Sequence, residues 1–270
     1  MGANVITISI NPVIFRLGHL MIRWYGLILV ASIMLAVWMA DREAQRRGLT
    51  ERQFGGAAYW AVGGGLLGAR LFHILDHWDH EYAAAPLRAF AIWEGGLAIW
   101  GGVIGGLVAL AIFSWRRRVG PGLIADVAVP GLALASAVGR LACIITGDAV
   151  GRPTGGPLGF AYTNPMAMVP RLGVYYIPSP LYEIAMNLAI FAVLWRLRRR
   201  ELPQGVLALI YLSLYPTGRF IVTFWSAYRT TAFGLNQAQL ISLATIVVAL
   251  PLLIARLRQP NPRTLVTQGR

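Results

Sequence analysis

Long apolar segments alternate with shorter polar ones along most of the chain. About 20 predominantly apolar residues are needed for an α-helix to cross the hydrocarbon core of a bilayer. Seven segments approach this length: residues 21–40, 55–75, 93–115, 123–145, 181–195, 205–225 and 240–255. The pattern predicts an all-α integral membrane protein with about seven transmembrane helices.

One segment between the apolar ones is much longer than the others. Residues 147–180 are rich in glycine and proline and include Tyr162, Tyr175 and Tyr176. A connection of this length is long enough to form a small cap at the membrane surface. We therefore expect a single membrane domain over residues 1–258 with this cap as an insertion. The polar residues 259–270 are expected to form a disordered cytoplasmic tail.

The composition and the charge distribution support a membrane protein. The chain is 57% hydrophobic and 13% charged, which excludes an ordinary soluble globular domain. All 24 basic residues are arginines, and fifteen of them follow the first, third, fifth and seventh apolar segments. The positive-inside rule then places the N-terminus outside, with the cap extracytoplasmic, and the C-terminus in the cytoplasm. The net charge of +13 is thus a topology signal, and no nucleic-acid partner is predicted.

Three arginines, Arg70, Arg140 and Arg219, lie inside apolar segments. A charge near the middle of a membrane helix costs at least about 2.5 kcal/mol, so such residues usually have a partner. The planar guanidinium suits phosphate, and each arginine has a glycine one or two positions before it that allows a close approach to the backbone. The three together favour an anionic ligand. Snorkelling to the interface or structural pairing with a carboxylate is the alternative for each one.

Glycine pairs open and interrupt the third apolar segment. Gly102 and Gly106 have the four-residue spacing that lets two membrane helices pack closely. Gly95 and Gly96 lie nearer the predicted outer surface, where they could interrupt the helix and expose backbone N–H groups to an anion. We expect packing for the first pair and anion binding as a possibility for the second.

His73 and His77, after the second segment, have the four-residue spacing found in zinc-binding helices. No third ligand is identifiable, so neither a metal nor another cofactor is predicted. The single cysteine, Cys143, excludes a disulfide within the chain.

Several motifs occur in the order seen in one enzyme family. The run from Gly139 to Gly151 (GRLACIITGDAVG) resembles the signature of the prolipoprotein diacylglyceryl transferases, roughly Gly-Arg-x-Gly-Asn-Phe-x-Asn-x-Glu-x-x-Gly. Further matches lie at residues 12–15, 22–27, 68–71, 93–102, 178–183 and 218–220, so the resemblance covers about residues 10–255.

The resemblance implies a transferase of the bacterial inner membrane that carries out the first step of lipoprotein maturation. Members of the family move the diacylglyceryl group of phosphatidylglycerol to the lipobox cysteine thiol of a prolipoprotein and release glycerol phosphate. The implied partners are phosphatidylglycerol, the prolipoprotein signal peptide and membrane lipids.

The resemblance also implies roles for individual residues. Arg140 and Arg219 match phosphate-binding positions, Tyr25 a hydrogen-bonding position near the reacting head group, and Gly151 a position of close backbone approach. Asp148 stands where the family has glutamate and is a candidate catalytic carboxylate. Further candidate lipid-binding residues are Arg70, Gly95, Gly96 and Glu183. Glu183 could instead act only as a carboxylate at a helix N-terminus.

Other positions depart from the family pattern. Trp100 replaces a histidine, Cys143 and Thr146 replace asparagines, and Thr223 and Ser226 replace a glutamate and an arginine. These departures leave open a divergent paralogue that binds or transfers an anionic phospholipid without acylating a prolipoprotein. A small-molecule transporter would need polar groups through to the inner side, where the apolar segments offer only Asp126.

Overall fold

The structure is a computed structural model that describes residues 6–18, 20–83, 85–91, 95–155 and 159–258. Helices account for most of these residues: α1 Trp24–Arg46, α2 Glu51–Phe54, α3 Ala57–Asp76, α4 Ile99–Arg117, α5 Pro121–Thr146, α6 Ser179–Leu197, α7 Val206–Val222 and α8 Gln237–Arg258. Short strands complete the fold: β1 Ile6–Ile8, β2 Val13–Leu17, β3 Leu20–Arg23, β4 Phe160–Tyr162, β5 Thr230–Ala232 and β6 Leu235–Asn236.

Five helices, α1, α4, α5, α6 and α8, are long and apolar enough to cross a membrane. Helix α7 is apolar but shorter, at 17 residues, and the 20-residue α3 falls in the second predicted segment. Each predicted segment therefore contains a long helix, while the count of seven spans and their orientation stay predictions. Large apolar side chains such as Leu107 and Val247 are more than 60% exposed, which suits a surface facing lipid.

The third predicted segment begins later than expected. Helix α4 starts at Ile99, and Gly95 and Gly96 precede it with φ angles of 94° and 75°. An α-helix cannot include such left-handed residues, so the predicted start at residue 93 is wrong. Residues 92–94, which include Glu94, and the predicted tail at 259–270 lie outside the described residues.

The described chain forms two compact units, and Asp41–Ile124 make up one of them. In this unit α3 and α4 cross with their backbones in close contact. A Cβ atom added to Gly68 would lie 2.3 Å from the carbonyl oxygen of Gly101, and one added to Gly105 would lie 2.3 Å from that of Gly64. The predicted glycine packing is present. The tightest contacts on α4 are at Gly101 and Gly105, each one position before a predicted glycine, whereas a Cβ atom added to Gly102 would keep an ordinary distance of 3.6 Å.

The other unit contains the described residues up to Ala40 and from Ala125 onward. One of its buried apolar clusters joins α5, α6 and α7: Val129, Ala133, Ile190, Leu194, Leu207 and Ala208. Asp126 of α5 is 1% exposed, and its two carboxylate oxygens accept hydrogen bonds of 2.8 Å from the N–H groups of Gly205 and Ala208. Asp126 therefore caps the start of α7 from a neighbouring helix, and its carboxylate interacts favourably with the positive end of the α7 dipole.

The cap between α5 and α6 contains β4 and irregular chain, and it has a small core of its own. Strand β1 pairs in parallel with β4, with Ile6 opposite Phe160. The side chains of Ile8, Val150, Phe160, Tyr162 and Tyr176 form the buried cluster. The N-terminal residues thus belong to the cap, which the sequence pattern did not indicate. All the long elements are helices, as predicted, and the strands are short additions of two to five residues.

Candidate functional site

Glu183 joins two of the arginines that lie inside apolar segments. It lies one turn into α6 and is 1% exposed. Its Oε2 lies 2.5 Å from Nη2 of Arg140 on α5, and its Oε1 accepts a hydrogen bond from Nη1 of Arg219 on α7. A buried carboxylate between two guanidinium groups offsets the desolvation of all three and fixes their relative positions.

The cluster keeps one net positive charge and spare hydrogen-bond donors. Arg140 and Arg219 contribute two positive charges, and ionised Glu183 contributes one negative charge. Within the described residues, only one N–H of each guanidinium meets Glu183, and only one further N–H of each meets another acceptor. Each guanidinium carries five N–H donors, so both retain donors for an anion. Their side chains are 23% and 14% exposed, which leaves them accessible from one side.

Arg219 has a second neighbour on its exposed side. Its Nη2 donates a hydrogen bond of 3.0 Å to the phenol oxygen of Tyr228, and its Cζ lies 5.5 Å from the centre of that ring. Tyr228 is 42% exposed and lies in the loop after α7. No sequence motif indicated this residue.

Polar groups also surround Arg140. Its Nη1 donates a hydrogen bond to Sγ of Cys143 at 3.7 Å. Oγ1 of Thr146 lies 3.0 Å from both Oδ1 of Asp148 and the carbonyl oxygen of Ala142, and its single proton is shared between these two acceptors. Tyr25, at the start of α1, is close enough to Arg140, Cys143 and Asp148 to interact electrostatically with all three. The sequence-predicted residues Tyr25, Arg140 and Asp148 are thus brought together.

Gly151 is also in this unit, but its close contacts are with protein. A Cβ atom added there would lie 2.5 Å from the carbonyl oxygen of Trp225 and 2.6 Å from the hydroxyl of Ser179. The N–H of Gly151 donates to the carbonyl of Ile177 at 2.9 Å. Glycine is needed here because the loops before α6 and after α7 pack against it; a role toward lipid stays a prediction.

Arg70 contrasts with the other two arginines. It is 8% exposed and lies in the other unit, where its guanidinium donates to the backbone carbonyls of five residues: Arg88, Ala89, Ala91, Gly95 and Gly96. These bonds account for all five N–H donors, so Arg70 has only its charge to offer an anion. It holds the chain before α4 in place through backbone carbonyls, and not through the carboxylate partner that the structural alternative predicts. A role of Arg70 toward lipid stays a prediction.

Gly95 and Gly96 present carbonyl oxygens to Arg70. They line a cavity of about 400 Å³ with Arg70, His73 and Glu81. His73 stacks on the ring of His77, with 4.2 Å between ring centres, and its Nε2 lies 3.7 Å from Glu81. Among the described residues, no group of three or more His, Cys, Asp or Glu side chains is arranged to hold a metal ion.

Comparison with known proteins decides the family. The pattern of the family described as prolipoprotein diacylglyceryl transferase matches residues 12–255. The chain belongs to this family. A phosphatidylglycerol–prolipoprotein diacylglyceryl transferase of Lactobacillus acidophilus is 34% identical over 260 residues, which cover 94% of this chain and 92% of that protein. The protein of the same name from Dehalococcoides mccartyi is 34% identical over 262 residues, which cover 96% of this chain and 99% of that protein.

The resemblance found from motifs is therefore confirmed across the whole helical region. Arg140 and Arg219, the predicted phosphate-binding positions in this member of the family, share one buried carboxylate. Two residues that departed from the signature contact predicted site residues: Cys143 accepts a bond from Arg140, and Oγ1 of Thr146 lies 3.0 Å from Oδ1 of Asp148. These two substituted positions are thus occupied by polar partners of predicted site residues.

Proposed function

We propose that the protein transfers the diacylglyceryl group of phosphatidylglycerol to the cysteine thiol of a prolipoprotein signal peptide. The proposal rests on one observation: Arg140 and Arg219 are held by the same buried carboxylate while each keeps N–H donors. The printed names of the relatives, which are phosphatidylglycerol–prolipoprotein diacylglyceryl transferases, support the same substrates for this chain.

The charge of the cluster suits this substrate. A phosphodiester lipid such as phosphatidylglycerol carries one negative charge, which the net positive charge of the arginine cluster balances. When the bond between the glyceryl carbon and the phosphate oxygen breaks, a second negative charge develops on that oxygen. Fixed guanidinium donors stabilise the developing charge more than the starting lipid, and such a difference accelerates the reaction.

The reaction exchanges one bond for another. The thiol sulfur forms a bond to the glyceryl carbon, the bond from that carbon to the phosphate oxygen breaks, and glycerol phosphate leaves. The thiol must lose its proton because the thiolate is the nucleophile. In our proposal Asp148, held by Thr146, accepts this proton, and Tyr25 hydrogen-bonds to the reacting head group.

We further propose that seven helices span the inner membrane with the N-terminus outside. Arg140 lies near the end of α5, Glu183 near the start of α6, and the cap connects these two helices. The arginine-rich segments at the opposite helix ends support a cytoplasmic location for those ends. The arginine cluster then faces the outer leaflet, where it would meet the lipid head group.

Purified protein in lipid nanodiscs would test the activity. Phosphatidylglycerol labelled in its head group is mixed with a lipobox peptide, and release of glycerol phosphate is followed. Replacing a donor that stabilises a developing negative charge typically costs a factor of about 100–1,000, and we expect Arg140→Ala to lose at least this much. Arg171→Ala, which removes the same charge from an exposed position in the cap, should keep the wild-type rate. The absence of release by wild-type protein with several peptides would contradict the proposal.

The second candidate is a paralogue that binds or transfers an anionic phospholipid without acylating a prolipoprotein. It is favoured by Trp100, Cys143, Thr146 and Thr223, which replace residues of the family pattern. Native mass spectrometry that detects bound phosphatidylglycerol, together with failure to rescue a strain depleted of its own transferase, would support this candidate over the first.

A further inference from the structure

We propose that Tyr228 is a substrate-binding residue whose hydroxyl group donates a hydrogen bond to the phosphate that Arg219 holds. This inference rests on the proposed function, because it assigns a further residue to the same lipid site. It concerns a tyrosine nine positions after Arg219, in the loop where Ser226 replaces an arginine of the family pattern, and no motif indicated Tyr228 itself.

The hydrogen bonding of Tyr228 leaves its proton available. Nη2 of Arg219 donates to the phenol oxygen at 3.0 Å, so the oxygen acts as an acceptor in this contact. A tyrosine hydroxyl can also donate one hydrogen bond. In the part of the chain that the structure describes, the Tyr228 hydroxyl has no acceptor for its proton. The phenol therefore has one unused donor directly beside a cation of the proposed phosphate site.

The exposure of the residues gives the direction of this donor. Arg219 faces the protein interior through Nη1, which meets Glu183 at 1% exposure, and it faces the open side through Nη2, which meets Tyr228 at 42% exposure. An incoming phosphate reaches the cluster from the open side. It would therefore meet the phenol and the free donors of Arg219 together.

The contact with Arg219 also makes the phenol a better donor. A hydroxyl oxygen that accepts from a guanidinium is polarised, and successive hydrogen bonds in such a chain strengthen one another. A hydrogen bond to an anionic phosphate is itself stronger than one between neutral groups. Tyr228 would thus extend the reach of the arginine without adding a further charge to the site.

Backbone contacts hold the loop that carries Tyr228. The carbonyl of Trp225 accepts a hydrogen bond of 3.1 Å from the N–H of Arg152, and Ser226 forms an isolated β-bridge with Gly151. The loop is thus fixed to the start of the cap two and three residues before Tyr228. This anchoring limits the entropy lost when the phenol binds a ligand.

The experiment compares Tyr228→Phe with wild-type protein and with Tyr175→Phe. Tyr175 is equally exposed, at 42%, and lies in the cap, so its variant controls for loss of an exposed hydroxyl. Four quantities are measured in nanodiscs: the KM for phosphatidylglycerol at saturating peptide, kcat, the melting temperature, and retention of phosphatidylglycerol without peptide by native mass spectrometry. Nanodiscs of phosphatidylcholine alone, with no phosphatidylglycerol to retain, give the background.

We expect Tyr228→Phe to raise KM and weaken phosphatidylglycerol retention about five- to tenfold, because one hydrogen bond to a charged group is worth roughly a factor of ten in affinity. The kcat and the melting temperature should stay near the wild-type values. An unchanged KM would overturn the proposal. A lowered KM would also overturn it, since it would mean that Tyr228 competes with phosphate for Arg219.

The binding measurement separates this inference from the proposed function. If wild-type protein retains phosphatidylglycerol but does not turn it over, the transferase proposal fails while the role of Tyr228 is still decided by retention. If wild-type protein retains no phosphatidylglycerol, both proposals are overturned.

Discussion

Replacing Glu183 by glutamine tests the arrangement of the arginine cluster directly. The substitution keeps the size of the side chain and removes its charge, so Arg140 and Arg219 become two like charges without a counterion. Coulomb's law with an effective dielectric constant of 20 gives about 4 kcal/mol for unit charges 4 Å apart, hence about 8 kcal/mol for the two lost attractions. Part of this lost attraction is offset because a neutral amide has a smaller desolvation cost than a carboxylate and still accepts one hydrogen bond. Breaking buried ion pairs by removing one partner typically costs about 3–5 kcal/mol, and we expect Glu183→Gln to lower the free energy of unfolding by an amount in this range.

The assay is thermal unfolding in detergent micelles, followed by circular dichroism, together with the rate of glycerol phosphate release. Glu183→Gln should unfold at a markedly lower temperature and lose most of its activity, because both arginines lose their positions. Glu51→Gln, which neutralises an exposed carboxylate of α2, serves as the control and should behave as wild type. A Glu183→Gln protein with wild-type melting temperature would refute the reasoning that this carboxylate holds the cluster together.

Three further predictions concern stability. Gly68→Ala should lower the melting temperature in detergent by the equivalent of about 1–3 kcal/mol, because the new methyl group would overlap the backbone of α4. Asp126→Asn should cost about 2 kcal/mol in denaturant unfolding, since one of its two acceptors for the N–H groups of α7 is lost. Burial, with smaller contributions from Asp148 and Cys143, raises the pKa of Tyr162. The free energy of unfolding should therefore fall as pH rises above about 10, and it should fall less steeply with pH in the Tyr162→Phe variant.

Each of these predictions has a matched control or a defined contrary result. Gly63→Ala lies in the same helix, where an added Cβ would meet nothing within 4 Å, and should be harmless. Asp79→Asn removes an exposed carboxylate and should leave stability unchanged. The free energy of unfolding falls with rising pH because the phenol of Tyr162 ionises at a lower pH in the unfolded chain than in the folded one. Ionisation therefore stabilises the unfolded chain as pH rises. Equal pH slopes for wild type and Tyr162→Phe would contradict it.

The helices were predictable because each has an apolar length of its own. Their positions follow from composition over a window of residues, and the largest errors are six residues each, at the end of α1, which runs on to Arg46, and at the start of α4. At the start of α4, Gly95 and Gly96 adopt left-handed conformations that an α-helix cannot include, although apolar residues continue on both sides. The strands were missed because they are two to five residues long and pair with distant segments, as β1 does with β4.

For the candidate site, sequence reasoning identified the residues but not how they are partnered. Arg70 and Arg140 looked alike in the chain, yet one is saturated by backbone carbonyls and the other retains donors. This difference depends on how the chain between α3 and α4 folds back, which no local pattern records. The glycines near these arginines were interpreted as room for a ligand. Gly68 instead faces the backbone of α4, and Gly218 faces the side chain of Met186.

The pairing of β1 with β4 has a consequence for biosynthesis. Ile6 emerges from the ribosome long before Phe160, its partner in the parallel ladder. At about 5–20 residues per second, the first strand waits on the order of 10–30 s while α1 to α5 are synthesised. The cap core, which needs both Ile8 and Tyr162, cannot form during this interval. Synthesis of the early helices therefore precedes closure of the cap, and the arginine of α5 is made before the carboxylate of α6.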